Sequence, residues 1–166
     1  MNSKGKILVT GGTGFIGDHL IRRLLSENYD VVLLKKSRAS SWRIKDLLNK
    51  VKIYKVNLKA DFNAILKKEK VQGVIHLAGK YIKREPDLYE ISKLNESNIV
   101  YPTLILDAAS QNKVQFFINT GTFSEYRLRG TISEETPIDP YNYYSATKVA
   151  FETILKFYAS IGKIRA

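Results

Sequence analysis

A glycine-rich stretch near the N-terminus, residues 6–25 (KILVTGGTGFIGDHLIRRLL), constrains the fold more than any other part of the chain. Its short apolar run predicts a buried strand, and the apolar residues that recur at helical spacing after it predict an amphipathic helix. Gly11, Gly14 and Gly17 lie between the two, where the chain must pass through backbone angles that only glycine adopts at low cost. The free N–H groups and the dipole at the start of such a helix attract a pyrophosphate. The stretch therefore predicts a dinucleotide-binding turn, and the absence of a following Gly-Lys-Ser/Thr excludes a Walker-type loop.

Composition excludes several other kinds of chemistry. The 166 residues include no cysteine and two histidines, so disulfides, thiolate chemistry and a histidine-rich metal site are ruled out, and no metal is predicted. The net charge of +11 is spread along the chain, which indicates a solvated lysine-rich surface rather than a nucleic-acid partner. No long apolar span or signal peptide is evident, so we expect a soluble, cytoplasmic protein with no membrane partner.

Strand and helix patterns alternate along the rest of the chain. This alternation predicts an α/β fold, a Rossmann-like doubly wound parallel sheet, in one NAD(P)-binding domain that covers residues 1–166. The predicted strands are 7–9, 29–34, 51–58, 71–77 and 114–120. The first predicted helix has apolar residues at Ile16, Leu20 and Leu24, and the others are 41–49 with Ser40 or Ser41 as cap, 61–68, 87–111 with Pro102 as an irregularity, and 142–160.

Basic residues follow the second predicted strand, at the position that most influences the choice of dinucleotide. An acidic side chain there accepts hydrogen bonds from the adenosine ribose, whereas basic side chains face a 2′-phosphate. The chain has Lys35, Lys36 and Arg38 at this position and no carboxylate. The sequence therefore favours NADP(H) as cofactor, with NAD(H) as the alternative.

Small residues end the fourth predicted strand. Ala78 and Gly79 lie where open α/β sheets bind their ligands, and their size allows a cofactor to approach the backbone. His76, within the same strand, is interpreted as a packed core residue rather than a catalyst.

A tyrosine and a lysine share one face of the last predicted helix. Tyr144 and Lys148 are four residues apart, so the ammonium is expected beside the phenol. A neighbouring cation favours the phenolate and is expected to lower the pKa of Tyr144 by roughly 1 to 3 units. This pair is suited to proton transfer near neutral pH.

Four segments, TGGTGFIG, VIHLAG, FINTGT and PYNYYSATKVAFE, occur in this order along essentially the whole chain. With them the chain resembles the extended short-chain dehydrogenase/reductase family of the NAD-dependent epimerase/dehydratase type. The resemblance implies that Tyr144 donates or accepts the proton, that Lys148 binds the nicotinamide ribose and lowers the pKa of the tyrosine, and that Thr122 hydrogen-bonds the substrate oxygen. It also implies these cofactor-binding residues: Gly11, Gly14, Phe15, Ile16 and Gly17 at the pyrophosphate, Asn57 and Leu58 at the adenine, and Leu77, Ala78, Gly79, Asn98 and Thr120 along the rest of the cofactor.

Within this family, two details narrow the activity. Sugar-nucleotide 4,6-dehydratases carry Thr-Asp-Glu after the fifth strand, whereas this chain reads Thr122-Phe123-Ser124, so dehydration is not expected. Epimerases usually carry the acidic ribose-binding residue, which Lys35 replaces. The segments LLKKSRASSWRI and YYSATKVAFE look more like NADPH-dependent 4-ketoreductases that make CDP-dideoxysugars for surface polysaccharides. We therefore expect reduction of a 4-keto nucleotide sugar, with an NAD-dependent 4-epimerase and a non-catalytic dinucleotide-binding module as alternatives.

Family members usually continue well beyond the length of this chain. The resemblance thus implies that a C-terminal part, with a sixth strand and most of the sugar-nucleotide site, is absent from the 166 residues. It also implies a homodimer through the helices at 87–111 and 142–160. Arg127 replaces a glycine that is frequent in relatives, so a differently built substrate loop is expected.

Overall fold

Five parallel strands form one sheet, in the order β3-β2-β1-β4-β5. The computed structural model describes residues 3–126 and 130–166, so Arg127 lies outside the described residues. The strands are β1 (Lys6–Thr10), β2 (Asp30–Lys36), β3 (Lys52–Val56), β4 (Gly73–His76) and β5 (Phe116–Asn119). The strand order reverses between β1 and β4, and ligands of open α/β sheets bind at the carboxyl ends of the strands at such a point.

Five α-helices connect and cover the strands: α1 (Phe15–Ser26), α2 (Phe62–Glu69), α3 (Leu88–Asn95), α4 (Tyr101–Gln111) and α5 (Tyr143–Ser160). A π-helical turn, Glu96–Val100, joins α3 to α4, so the predicted helix at 87–111 is real but changes its winding just before Pro102. Pro102 lies in the first turn of α4, directly after the π-helical turn. The predicted helix at 41–49 is a 3₁₀ turn, Trp42–Leu47. Ser41 occupies its N-cap position as predicted, although the Ser41 side chain makes no capping hydrogen bond.

Alternate side chains of β2 enter two separate apolar cores. Val31 and Leu33 pack with Ile21 of α1 on one face of the sheet, and Val32 and Leu34 pack on the other face against the side of α2, α4 and α5. A strand buried on both faces reads as a continuous apolar run instead of an alternating one. The predicted doubly wound α/β sheet is therefore confirmed.

The chain that follows α5 returns to the outer edge of the sheet. Ile164 is buried, and Arg165 pairs in parallel with Phe116 of β5. The backbone carbonyl of Arg165 accepts a hydrogen bond from the N–H of Phe117 at 2.8 Å. Residue 165 thus lies beside β5, at the edge of the sheet where a sixth strand would pair.

Within residues 3–126 and 130–166, no helix is long and apolar enough to cross a membrane. The same residues contain no group of three or more His, Asp or Glu side chains placed to hold a metal ion.

Candidate active site

The glycine turn brings the start of α1 close to the end of β4. Gly11 has a φ of +69°, and a Cβ on it would lie 2.7 Å from the backbone nitrogen of Ala78. The N–H of Gly14 donates to the carbonyl of Gly11 at 3.0 Å and closes the turn. A Cβ on Gly17 would overlap the Gly11 carbonyl oxygen and the Gly12 Cα. Gly17 therefore lets α1 pack against the turn, and it contributes no surface to the groove beside it.

The first turn of α1 keeps its backbone donors free of side-chain caps. Gly14 occupies the N-cap position without a side-chain hydrogen bond. The side chains of Phe15 and Ile16 are 69% and 64% exposed, and neither residue lines the groove beside the turn. Uncapped N–H groups and the helix dipole together favour an anion at this end of the helix.

A groove of about 290 Å³ lies at the carboxyl ends of β1, β2 and β4. It adjoins a second groove of about 310 Å³, with which it shares Lys36 and Tyr101. The first groove is lined by Gly11, Gly12, Thr13, Gly14, Leu34, Lys35, Lys36, Ala39, Leu77, Ala78, Gly79, Ser97 and Tyr101, and the second by Lys36, Ser37, Arg38, Val56, Asn57, Leu58, Glu96 and Tyr101. Most of the cofactor-binding residues predicted from the sequence thus surround one continuous surface.

The basic residues after β2 face these grooves as predicted. Lys35 and Lys36 line the first groove, and Arg38 lines the second. None of the three forms an ion pair with another residue in the described ranges. Glu96 is the carboxylate nearest to them along the second groove, and it is paired with Lys93 at 2.8 Å. This end of the grooves is therefore positively charged.

The predicted Thr–Tyr–Lys set is brought together at the start of α5. Asn142 caps the helix by accepting a hydrogen bond from the N–H of Ser145 at 2.8 Å, and this cap fixes the first turn that carries Tyr144. The Tyr144 phenol lies close enough to the Thr122 side chain for that side chain to favour its ionised form. Lys148 lies one turn further along α5 and is 5% exposed.

The electrostatics of this set differ from the expectation. Burial is the main cause of the raised pKa of Tyr144. Tyr81 and Glu125 raise this pKa further, and the Thr122 side chain lowers it. Burial also lowers the pKa of Lys148, against the attraction of Glu125. The predicted net lowering of the Tyr144 pKa is therefore wrong for this structure, because loss of solvent around the phenolate outweighs the neighbours that favour it.

Asn98 and Thr120 support the site from beneath, without lining either groove. The Asn98 side chain is buried, and it accepts from the Lys80 N–H at 2.7 Å and donates to the Lys80 carbonyl at 2.9 Å and to the Thr147 hydroxyl at 3.0 Å. The Thr120 hydroxyl donates to the His76 carbonyl at 3.1 Å. Direct cofactor contact was expected of both residues, whereas their side chains hold β4, β5, α5 and the loop after β4 together.

His76 is a core residue, as predicted. Its ring packs against Tyr101, Phe117 and Phe151, with centroids about 6 Å apart. Burial and the nearby Lys148 charge lower its pKa to about 3, so the ring is neutral at physiological pH. A hydrogen bond of 2.8 Å joins its Nδ1 to the hydroxyl of Thr10, and that hydroxyl also accepts from the Ala78 N–H.

Sequence reasoning missed three residues at the site. Tyr101 is almost fully buried and lines both grooves. The only feature of the sequence that pointed to Tyr101 as a groove residue was its position one helical turn after Asn98. The Tyr81 ring meets the Tyr144 ring edge-on, with centroids 4.9 Å apart. Glu125 is a buried carboxylate that acts on both Tyr144 and Lys148. The Tyr81 contact joins distant parts of the chain and leaves no local pattern. Thr122 and Glu125 have the Thr-x-x-Glu spacing of a capping box, which was the available signal for Glu125.

A doubly wound sheet with a glycine turn at its switch point, and a threonine, a tyrosine and a lysine near the start of α5, is an arrangement typical of the short-chain dehydrogenase/reductase class. The chain belongs to the NAD dependent epimerase/dehydratase family, whose sequence pattern matches residues 7–166.

Two relatives illustrate the range of the family. The chain is 29% identical over 154 residues to a UDP-glucose 4-epimerase of Lactobacillus helveticus, an alignment that covers 90% of this chain and 46% of the relative. It is also 29% identical over 119 residues to the CDP-abequose synthase of Salmonella muenchen, covering 71% of this chain and 38% of the relative.

Solved structures agree with this fold. The UDP-Glc/GlcNAc 4-epimerase of Campylobacter jejuni superimposes with a TM-score of 0.81 at 27% identity, over 96% of this chain and 50% of that one. The UDP-glucuronic acid 4-epimerase of Bacillus cereus, in complex with UDP-glucuronic acid and NAD, gives a TM-score of 0.81 at 26% identity, over 93% and 52%. The chain spans about half the length of the relatives it matches.

Proposed function

We propose that the chain is the dinucleotide-binding and catalytic half of an enzyme that reduces the 4-keto group of a nucleotide-linked sugar with NADPH. The observation that carries the proposal is that the Tyr144 phenol lies near the Thr122 side chain and that the same helix carries the buried Lys148 one turn further on. These three side chains are the groups needed to protonate and orient a carbonyl oxygen next to a hydride donor.

The residues around the grooves fit a dinucleotide. Gly11 leaves the space that a Cβ would fill between the glycine turn and Ala78, and the uncapped start of α1 offers backbone N–H groups to a pyrophosphate. Lys35, Lys36 and Arg38 would hold a 2′-phosphate on the adenosine ribose. The small residues at the end of β4 would line the rest of the cofactor, and Lys148 would hold its second ribose.

Bound NADPH would supply the hydride that reduces the ketone carbon. In that step Tyr144 donates its phenolic proton to the substrate oxygen, Thr122 orients that oxygen by a hydrogen bond, and Lys148 stabilises the tyrosinate that remains. Because its pKa is raised, Tyr144 is protonated at neutral pH. A protonated tyrosine is the state required for reduction, whereas oxidation of an alcohol requires the phenolate.

The catalytic assignment is tested with Tyr144→Phe in a turnover assay that follows consumption of NADPH by a nucleotide-linked 4-keto sugar. We expect the rate to fall by about 10²-fold or more, because the proton donor is lost, while NADPH still binds in a calorimetric titration. Tyr143→Phe is the matched control, since the Tyr143 hydroxyl donates to Asn95 at 3.1 Å. A wild-type rate in Tyr144→Phe would contradict the assignment.

The cofactor preference is tested by titrating the chain with NADPH and NADH in parallel. Lys35→Asp replaces an attraction by a repulsion at a 2′-phosphate, and we expect it to weaken NADPH binding roughly tenfold and to leave NADH binding almost unchanged. Lys55→Asp is the control, because Lys55 pairs with Lys35 across the sheet and lines neither groove. Equal affinity for the two dinucleotides in the wild type would remove the basis for NADP(H) and favour NAD(H).

A 4-epimerase is the second candidate, and the names of relatives such as the Lactobacillus helveticus enzyme favour it. Epimerisation interconverts two nucleotide sugars without net use of dinucleotide, so product analysis with UDP-glucose and NAD distinguishes it from reduction. Dinucleotide binding without either reaction would favour a non-catalytic module.

The homodimer stays a prediction from family resemblance. Leu104 of α4 and Phe157 of α5 are 37% and 58% exposed, and they belong to the helices expected to pair. Sedimentation equilibrium of the chain measures the association directly, and Phe157→Glu is expected to abolish it. A monomer at every concentration would refute the prediction.

A further inference from the structure

The 3₁₀ turn Phe123–Glu125, directly after β5 and Thr122, carries a buried carboxylate that the mechanism above does not use. We propose that Glu125 is a positioning residue, which fixes the place of Thr122 and holds the Lys148 ammonium in its site. The inference rests on the proposed function of Thr122 and Lys148. It assigns a role to a residue for which the sequence motifs gave none.

The first contact of Glu125 is with Thr122. Its Oε2 accepts a hydrogen bond from the Thr122 N–H at 3.2 Å, while the Thr122 hydroxyl accepts one from the Ser124 N–H at 3.3 Å. The backbone carbonyl of Glu125 accepts from the Asp139 N–H at 2.8 Å, so the residue is held at both ends. The position of the Thr122 hydroxyl, which meets the Tyr144 phenol, therefore depends on the length of the Glu125 side chain.

The second interaction is electrostatic and acts without an ion pair between Glu125 and Lys148 in the described residues. Both side chains are buried where the 3₁₀ turn Phe123–Glu125 packs against α5. Lys148 is 5% exposed, and a buried ammonium requires a compensating negative charge. Two carboxylates oppose the loss of solvent at Lys148, with Glu125 the stronger and Glu152 the weaker. Glu152 is bound to Lys156 at 2.7 Å at the protein surface. Glu125 is thus the main counter-charge of the buried lysine.

One charge at position 125 therefore acts on both members of the Tyr–Lys pair. Glu125 raises the pKa of Tyr144 as well as that of Lys148, and it also faces Tyr126 and Lys156. The other groups that act on the pair are Tyr81 at Tyr144, and Glu152 and the neutral His76 at Lys148. The carboxylate favours a protonated phenol beside a charged ammonium, which is the state that reduction of a ketone requires.

Two substitutions distinguish the hydrogen bond to Thr122 from the electrostatic effect on Lys148. Glu125→Gln retains an oxygen within reach of the Thr122 N–H and removes the charge. Glu125→Asp retains the charge and shortens the reach. Glu152→Gln is the matched control, because it removes a carboxylate that faces Lys148 but does not contact Thr122.

The test uses NMR on the 166-residue chain, so it needs no turnover. The pKa of Lys148 is followed through ¹³C-methylated lysines, with Lys148→Arg to assign the signal, and amide hydrogen exchange is followed at Thr122. We expect Glu125→Gln to lower the pKa of Lys148 by about one unit, more than Glu152→Gln does, and to leave exchange at Thr122 almost unchanged. We expect Glu125→Asp to speed that exchange roughly tenfold and to change the pKa of Lys148 little.

Either of two results overturns the inference: a Lys148 pKa that Glu125→Gln does not lower, or Thr122 exchange that Glu125→Asp does not accelerate. If the chain is also active, the pH profile of turnover in Glu125→Gln shifts with the Lys148 pKa, whereas Glu125→Asp lowers kcat without a shift. A chain that binds no dinucleotide but gives the expected NMR results refutes the proposed function and leaves the role of Glu125 in place.

Discussion

Asn98→Ala is the substitution whose effect the structure defines most sharply. The side chain is 2% exposed and makes three hydrogen bonds, two to the backbone of Lys80 and one to the hydroxyl of Thr147. Truncation to alanine removes these three hydrogen bonds, and each lost bond is expected to lower the free energy of unfolding by about 1 kcal/mol or more. We expect a loss of about 3 kcal/mol from the free energy of unfolding, which is a large part of the 5–15 kcal/mol typical of a domain.

Urea unfolding followed by circular dichroism measures this loss, and the melting temperature is expected to fall by roughly 6–12 °C. Asn49→Ala is the control, since Asn49 is exposed and its truncation is expected to change stability by less than about 0.5 kcal/mol. Dinucleotide affinity is expected to fall in Asn98→Ala as well, because Lys80 follows the residues of the loop that line the first groove. A loss of less than about 1 kcal/mol would refute the idea that Asn98 fixes this loop.

Two further predictions concern the turn after β1 and the far end of the sheet. Gly11→Ala is expected to cost about 3 kcal/mol in urea unfolding, because it combines a left-handed φ with a collision at Ala78, whereas Gly162→Ala, with a similar φ and open space around its Cβ, is expected to cost only about 1 kcal/mol. The hydrogen bond from Lys6 is the main cause that lowers the pKa of Glu69 from its ordinary 4.5, so the stability from this carboxylate is present above pH 4.5 and is lost as the pH falls through the folded-state pKa. Glu69→Gln is therefore expected to be destabilised at pH 7 by about 2 kcal/mol, and thermal melts at decreasing pH are expected to show the gap from the wild type narrowing below pH 4.5.

Local patterns in the sequence were sufficient for the sheet and for the glycine turn. The apolar run of β2 is continuous because its side chains enter both cores, and the turn at Gly11 needs glycine for reasons that act within a few residues. The spacing of Tyr144 and Lys148 likewise predicts their shared helix face, since four residues make about one turn.

Properties that depend on burial were not accessible from the sequence. The pKa of Tyr144 is raised because tertiary packing removes water from the phenol, and nothing in the YYSATK segment encodes that packing. Asn98 was expected beside the cofactor because of its family position, yet its bonds to Lys80 and Thr147 depend on a loop and a helix far away in the chain. The bond of Glu125 to Thr122 follows a local capping pattern, whereas its burial and its effect on Lys148 depend on packing against α5.

The π-helical turn at Glu96–Val100 makes the groove sensitive to chain length. An α-helix advances about 100° per residue, so the wider turn changes the direction in which α4 faces relative to α3 by about that angle. Asn98 within the turn reaches Lys80 and Thr147, and Tyr101 directly after it lines both grooves. Removal of one residue here would restore a regular helix and rotate one of these two side chains out of place. In this segment a gap in the alignment of two homologous sequences is therefore a larger structural difference than several substitutions.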